Sequence, residues 1–182
     1  MGVLVLGGSE WGIPEKLAKA VADAGYPTLA LAYFKAKGLP QELEKIPFDY
    51  FDSAKSWLQT KKNVDASKLI IVSWSKGAEL ALLLASRDEK VQRVIAIAPS
   101  SVVWAGVLND WTKVPGSSWT EQGKELAHVE FKPSGLVNGL LDLYIRSLEN
   151  LSDNGEVDIA VEQTKGEVVL LTGEKDEIWP SP

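Results

Sequence analysis

Cysteine is absent from the 182 residues, and histidine occurs once, as His128. The first absence removes disulfide frameworks, thiolate metal sites and any cysteine nucleophile. The second means that a reaction needing an imidazole base must use His128 or draw its base from outside these residues. Basic runs are missing too: a formal net charge of -6 is spread along the chain, which excludes nucleic acid and argues against an anionic membrane as partner. No apolar stretch approaches the roughly 20 residues that span a bilayer. The opening MGVLVLGGSE has neither a basic n-region nor a cleavage site. The expectation is a cytoplasmic protein without a membrane span, free of repeats and low-complexity tracts.

What is present suffices for one domain over residues 1–182, because 45% hydrophobic content at this length supports a core. Val3-Leu4-Val5-Leu6 is a continuous apolar run ending in Gly7-Gly8, the pattern of a strand buried on both faces of a parallel sheet. Pro14, the helical spacing of Leu17, Val21 and Ala24, and Gly25 bracket a helix, and Thr28 to Leu31 follows as a strand. Residues 34 to 47 read as an irregular polar connection, and Tyr50, Ala54, Trp57 and Leu58 mark an amphipathic helix. Leu69 to Val72 is a strand, Ala78 to Ala85 a helix, and Val91 to Ile97 and Val168 to Leu171 are further strands. The fold class is α/β: a mostly parallel doubly wound sheet with helices on both faces, and a lid-like excursion at about 104–160 in which only Leu136 to Leu148 reads as helix.

The turn between the central strand and its helix reads Ser73-Trp74-Ser75-Lys76-Gly77. It is a variant of the G-x-S-x-G nucleophile elbow of α/β hydrolases, in which small residues two positions either side let a strained turn pass close to strand and helix. Ser75 is the candidate nucleophile, at a helix N-terminus where the dipole favours developing negative charge. The competing role for Ser75 is an ordinary N-cap. Asp176, in the loop after the last strand, is the candidate acid, with Glu174 as the alternative and a solvated acidic loop as the plain reading. The turn Gly7-Gly8-Ser9 can present backbone N–H groups, so Lys76 N–H together with Gly8 or Ser9 N–H would form an oxyanion hole. A dinucleotide loop is the other use of such a turn, but G-x-G-x-x-G is not matched. Trp11, Trp74, Trp104, Trp119 and Trp179 fall in strand-end loops or the excursion, as does Trp111. They would either line an acyl pocket or pack the lid onto the sheet.

Several segments, taken in chain order, carry a resemblance. They are Val3 to Gly8, Ala30 to Phe34 with Gly38-Leu39-Pro40, Ile46-Pro47 through Tyr50-Phe51, Ser75 to Leu82, Ser100 to Trp104, Ser117 to Thr120 and Asp176 to Ser181. Over essentially the whole chain they resemble the C-terminal catalytic domain of the acyl-CoA thioester hydrolase and bile acid-CoA:amino acid N-acyltransferase family.

The resemblance implies a Ser-His-Asp triad acting on acyl-CoA or a related thioester, with Ser75 as nucleophile and Asp176 as acid and with no cofactor. Members that conjugate acyl groups to amino acids use cysteine, so serine implies hydrolysis by water. Two departures stand out: Ser73 occupies a position where the family has glycine, and the family histidine, expected a few tens of residues after Trp179-Pro180-Ser181, is not among these residues. The resemblance therefore implies a chain truncated at both ends. The alternatives are an acyl-binding scaffold that has lost its base, a carboxylester or dienelactone-type hydrolase, and an acyltransferase.

Overall fold

The computed structural model describes residues 1–182 apart from Trp11, Ser134, 152–154, Trp179, Ser181 and Pro182. Along the chain the elements are strand β1 (Gly2–Leu6), helix α1 (Glu15–Asp23), strand β2 (Thr28–Leu31), short strand β3 (Ile46–Pro47), helix α2 (Phe48–Gln59) and strand β4 (Leu69–Trp74). Helix α3 (Lys76–Ala85), strand β5 (Val91–Ile97), short strands β6 (Trp119–Glu121) and β7 (Lys124–Glu125), helix α4 (Leu140–Glu149), a 3-10 turn (Val161–Gln163) and strand β8 (Glu167–Leu171) complete them.

The main sheet has the order β2-β1-β4-β5-β8, with every pair parallel. Alternation along each strand sends successive side chains to opposite faces. Leu4, Leu6 and Ile71 join the buried residues of α2 and α3 on one face, while Val3, Val5, Ile70 and Val72 meet Ala18 of α1 on the other. This is why β1 and β4 read as unbroken apolar runs: both faces are covered.

The chain leaves β1 in one direction to β2 and returns on the other side of β1 to β4. In a parallel sheet such a reversal opens a crevice beyond the carboxyl ends of the two strands, where the flanking loops part. The loops that meet there are Gly7 to Glu10 after β1 and Trp74 to Lys76 after β4.

Two regions differ from the sequence expectation. The connection at 34 to 47 is not a polar surface loop, because Phe34, Leu43 and Ile46 are buried in the main core. The excursion is only partly a lid. Its base is pinned into the interior by a second sheet of order β3-β6-β7 and by bridges from Leu43 to Val107 and Ala105 to Ser117. Trp104, stacked on Phe131 and edge-on to Tyr144 of α4, fastens the helix to that base. Helix α4 begins at Leu140, four residues later than its periodicity suggests, because Gly139 turns the backbone to φ 104° immediately before it.

Candidate active site

Ser75 holds φ 51° and ψ -128° between β4 and α3. That conformation is the mirror image of ordinary extended backbone, and a side chain there costs about 1–3 kcal/mol, a strain that functional turns retain. Its N–H donates to Ile97 O at 2.8 Å, tying the turn to the end of β5. Its hydroxyl makes no capping hydrogen bond to α3, so the plain N-cap role does not describe it. Lys76, the first residue of α3 and next in the chain to Ser75, has a backbone N–H with no acceptor four residues back in the helix.

The glycines follow from contact. A Cβ on Gly77 would stand 2.1 Å from Gly7 O, so the elbow and the β1 turn approach closer than any side chain permits. A Cβ on Gly8 would lie 3.1 Å from Ser75 Cβ and 2.4 Å from a Glu10 carboxylate oxygen. Trp74 lies over this turn, and its indole N–H donates to Glu10. From the buried side, the Tyr33 hydroxyl stands 2.6 Å from Gly7 O and 3.0 Å from Gly8 O.

Ser73 is fully buried between Leu6 and Ala96 in the ladder, and its hydroxyl has no hydrogen-bond partner among the described residues. A buried unsatisfied hydroxyl costs about 1–3 kcal/mol. Ser73→Ala keeps the Cβ and removes the orphan, so its melting temperature should rise by about 2–4 °C for each kcal/mol recovered. A calorimetric scan with an unchanged or lower midpoint would count against this account.

Beneath the elbow lies a buried ion pair. Lys76 Nζ donates to both carboxylate oxygens of Glu79 at 2.9 Å and to Trp104 O at 3.0 Å. Glu79 also accepts from Trp119 Nε1 at 2.7 Å and from Trp104 N–H at 3.3 Å. Desolvation pushes the Glu79 carboxyl upward and the Lys76 ammonium downward, and each partner's charge opposes that drift in the other. Of the two roles open to Trp104 and Trp119, acyl pocket or packing of the excursion onto the sheet, burial at 1% and 0% exposure fits the second and not the substrate-binding one. Each indole N–H has a buried acceptor, Ser100 Oγ for Trp104 and Glu79 for Trp119, which lets a tryptophan sit fully inside.

A cleft of about 380 Å³ opens over Ser75, Ser9 and Lys76. Val107, Leu108, Trp111 and Val114 form one wall, and Leu140, Leu143 and Tyr144 of α4 form the other, with Ile178 at the rim. Asp110 and Lys113 are the charged side chains on its edge, 3.8 Å apart. Of the sequence-based pocket residues, Trp74 covers the glycine turn, and Trp11 and Trp179 fall outside the described residues. Trp111, one of the tryptophans weighed for a pocket, does line the cleft; Leu140 and Tyr144 were missed because they look like lid residues of no particular kind. Tyr33 and Glu79 were missed as well, although an acid three residues after a lysine in an otherwise apolar helix is a readable sign of a buried pair.

Asp176 lies in the turn after β8, at the carboxyl end of the sheet like Ser75 but two strands away, and it does not line the Ser75 cleft. Its N–H donates to Gly173 O at 3.2 Å, and its carboxylate accepts the Ile178 N–H at 3.0 Å, which brings Ile178 to the cleft rim. Glu174, the alternative acid, is exposed. His128 borders a separate groove with Glu130 and Asn150, its Nδ1 3.0 Å from Leu126 O. It does not line the Ser75 cleft. Among the described residues no group of three or more His, Asp or Glu could hold a metal ion, and no helix is long and apolar enough to cross a membrane.

Comparison with known proteins gives a consistent result. The family described as BAAT / Acyl-CoA thioester hydrolase C terminal matches residues 46–182. Acyl-coenzyme A amino acid N-acyltransferase 1 of Mus musculus is 28% identical over 180 residues, which are 99% of this chain and 41% of that protein. Peroxisomal succinyl-coenzyme A thioesterase of Mus musculus is 28% identical over 183 residues, and acyl-coenzyme A thioesterase 6 of Homo sapiens is 25% identical over 180, with the same coverage. The chain thus spans about two fifths of the length of these relatives.

Proposed function

The chain belongs to the BAAT / acyl-CoA thioester hydrolase C-terminal family, and from that membership we propose that it carries the nucleophile of an enzyme that hydrolyses acyl-CoA thioesters through an acyl-serine. The observation that carries the reading is Ser75 itself, an uncapped hydroxyl on a strained turn at the head of α3, opening into an apolar cleft.

In this mechanism Ser75 Oγ attacks the thioester carbonyl carbon as its proton passes to a base. The carbonyl oxygen, now an oxyanion, is met by the N–H groups of Lys76 and Ser9 and by the positive end of α3. The C–S bond breaks, the thiol leaves with the proton, and an ester on Ser75 remains. Water then adds to that ester, releases the carboxylic acid and restores the hydroxyl. Apolar walls at Val107, Trp111, Leu140 and Tyr144 suit the hydrocarbon part of an acyl group. Asp176 is the acid that orients the imidazole base. His128 borders another groove and does not line the cleft, so it is not that base in this reading.

A fluorophosphonate, which reacts only with an activated serine, tests the proposal in the full-length protein. A single adduct mapped by mass spectrometry to Ser75, formed at a rate that acyl-CoA slows by competition, is the expected result. An unlabelled Ser75 in protein that binds acyl-CoA would sink the hydrolase and leave an acyl-binding domain.

A further inference from the structure

Tyr33 follows β2 by two residues, and its ring is buried against Phe51 and Trp119. Its hydroxyl points at two successive carbonyls, Gly7 O and Gly8 O. None of the bond-making steps above uses this group. From this geometry we propose that Tyr33 is a positioning residue for the oxyanion site: its single O–H proton, shared between Gly7 O at 2.6 Å and Gly8 O at 3.0 Å, holds this pair of carbonyls inward and so turns the Ser9 N–H outward, toward the thioester oxygen. The role rests on the acyl-serine mechanism proposed above.

The argument begins with the peptide unit. Every peptide bond among the described residues is trans, and in a planar trans peptide the C=O and the following N–H point in opposite directions. The Gly8 carbonyl faces the buried Tyr33 hydroxyl, so the Ser9 N–H faces the other way. Ser9 is exposed and borders the cleft together with Ser75, so the outward direction is the direction of the cleft.

A lock is needed because of the sequence of the turn. Two glycines in succession can rotate a peptide plane through conformations closed to other residues, so Gly7-Gly8 does not by itself hold its N–H groups on one side. An oxyanion donor is useful only when it is already aimed, since a donor that must first reorient takes its cost from the reaction. The close approach of the elbow adds a second restraint, because Gly77 packs on the same Gly7 carbonyl that the tyrosine holds. The pair of glycines supplies the close approach, and Tyr33 supplies the direction. Burial holds the Tyr33 phenol well above its usual range, with the Glu10 and Glu79 carboxylates adding to the effect, so it remains a donor wherever the enzyme is folded.

The test uses the full-length protein and compares wild type with Tyr33→Phe, which keeps the ring and removes the donor. Removing an oxyanion donor outright costs about 10²–10³ in kcat; a donor left in place but unaimed should cost about 10- to 100-fold. KM for acyl-CoA should stay within about two-fold, as for an interaction made only in the transition state. Affinity for an acyl trifluoromethyl ketone, which forms a tetrahedral adduct, should fall by the same factor as kcat. Binding of a non-hydrolysable thioether analogue should not change.

Rates are taken per folded molecule, and 3-fluorotyrosine at position 33, which keeps the donor, should retain wild-type kcat. Wild-type kcat and adduct affinity in Tyr33→Phe would overturn the proposal, as would equal losses for the adduct and the thioether, or a loss in the fluorotyrosine variant. Failure of the underlying mechanism reads differently: Ser75→Ala would then turn over substrate as wild type does, whatever Tyr33→Phe shows.

Discussion

Glu79→Leu is expected to cost about 3–5 kcal/mol of folding stability, the range for breaking one side of a buried ion pair. The carboxylate is fully buried, and it accepts from three groups: the Lys76 ammonium, the Trp119 indole N–H and the Trp104 backbone N–H. Leucine removes all three acceptances at once and leaves Lys76 charged in the interior with one carbonyl, Trp104 O. Lys76→Met should also be strongly destabilising, because Glu79 loses its counter-ion while burial still disfavours its charge, leaving it either ionised and unpaired or protonated at a cost.

The double variant Lys76→Met with Glu79→Leu separates charge from hydrogen bonding. Replacing a whole ion pair by apolar residues is often neutral, so most of the single-variant loss should return. A residue of the deficit should persist, since Trp119 Nε1 loses the acceptor that Glu79 gave it, at about 1–3 kcal/mol. Urea denaturation at constant slope provides the measurement. A single-variant loss below about 1 kcal/mol, or a double variant worse than the sum of the singles, would show that the pair is not held as described. The pair matters to the site because it joins the first turn of α3 to Trp119 and to Trp104, which packs on the cleft residues Phe131 and Tyr144. Both the nucleophile turn and the excursion take their placement from the same carboxylate.

The fold was readable where one physical effect dominated. β2 and β5 run as read, Thr28 to Leu31 and Val91 to Ile97, because short β-branched and aliphatic segments between turn residues have few other uses. Gly77 was readable for the reason the structure supplies, a backbone approach that no Cβ survives. Burial through paired polarity was only partly readable. The i,i+3 spacing of Lys76 and Glu79 in an apolar helix hints at a pair, but that Trp104 and Trp119 complete its hydrogen bonding under the elbow depends on the folded chain. The sequence left the tryptophans between two roles for the same reason: an indole such as Trp104 or Trp119 enters the core when its N–H meets a buried acceptor. That depends on Glu79 and Ser100, which are 40 and 4 residues away in the chain. Composition also concealed the connection at 34 to 47, where a few apolar residues, Phe34, Leu43 and Ile46, are buried while the polar majority between them faces outward.

Ser75 should display opposite effects on activity and stability. Ser75→Ala is expected to lower kcat/KM for acyl-CoA by at least about 10⁴-fold, as loss of a nucleophile does, with the thioether analogue still bound. Its stability should stay close to wild type, because alanine at φ 51° carries the same strain as serine and the hydroxyl makes no capping bond to lose. Ser75→Gly should be equally inactive and yet more stable than wild type by about 1–3 kcal/mol, since glycine occupies that region without a Cβ penalty. A serine present only to cap α3 predicts another pattern, a loss of about 0.5–2 kcal/mol in the alanine variant and little change in activity. Steady-state kinetics and denaturation on the two variants therefore decide the role of Ser75 without reference to the base. If glycine and alanine both destabilise and turnover persists, the strained turn is structural and the chemistry lies elsewhere. If turnover vanishes while glycine stabilises, the strain is retained because the reaction needs a side chain at a position where only glycine would rest comfortably.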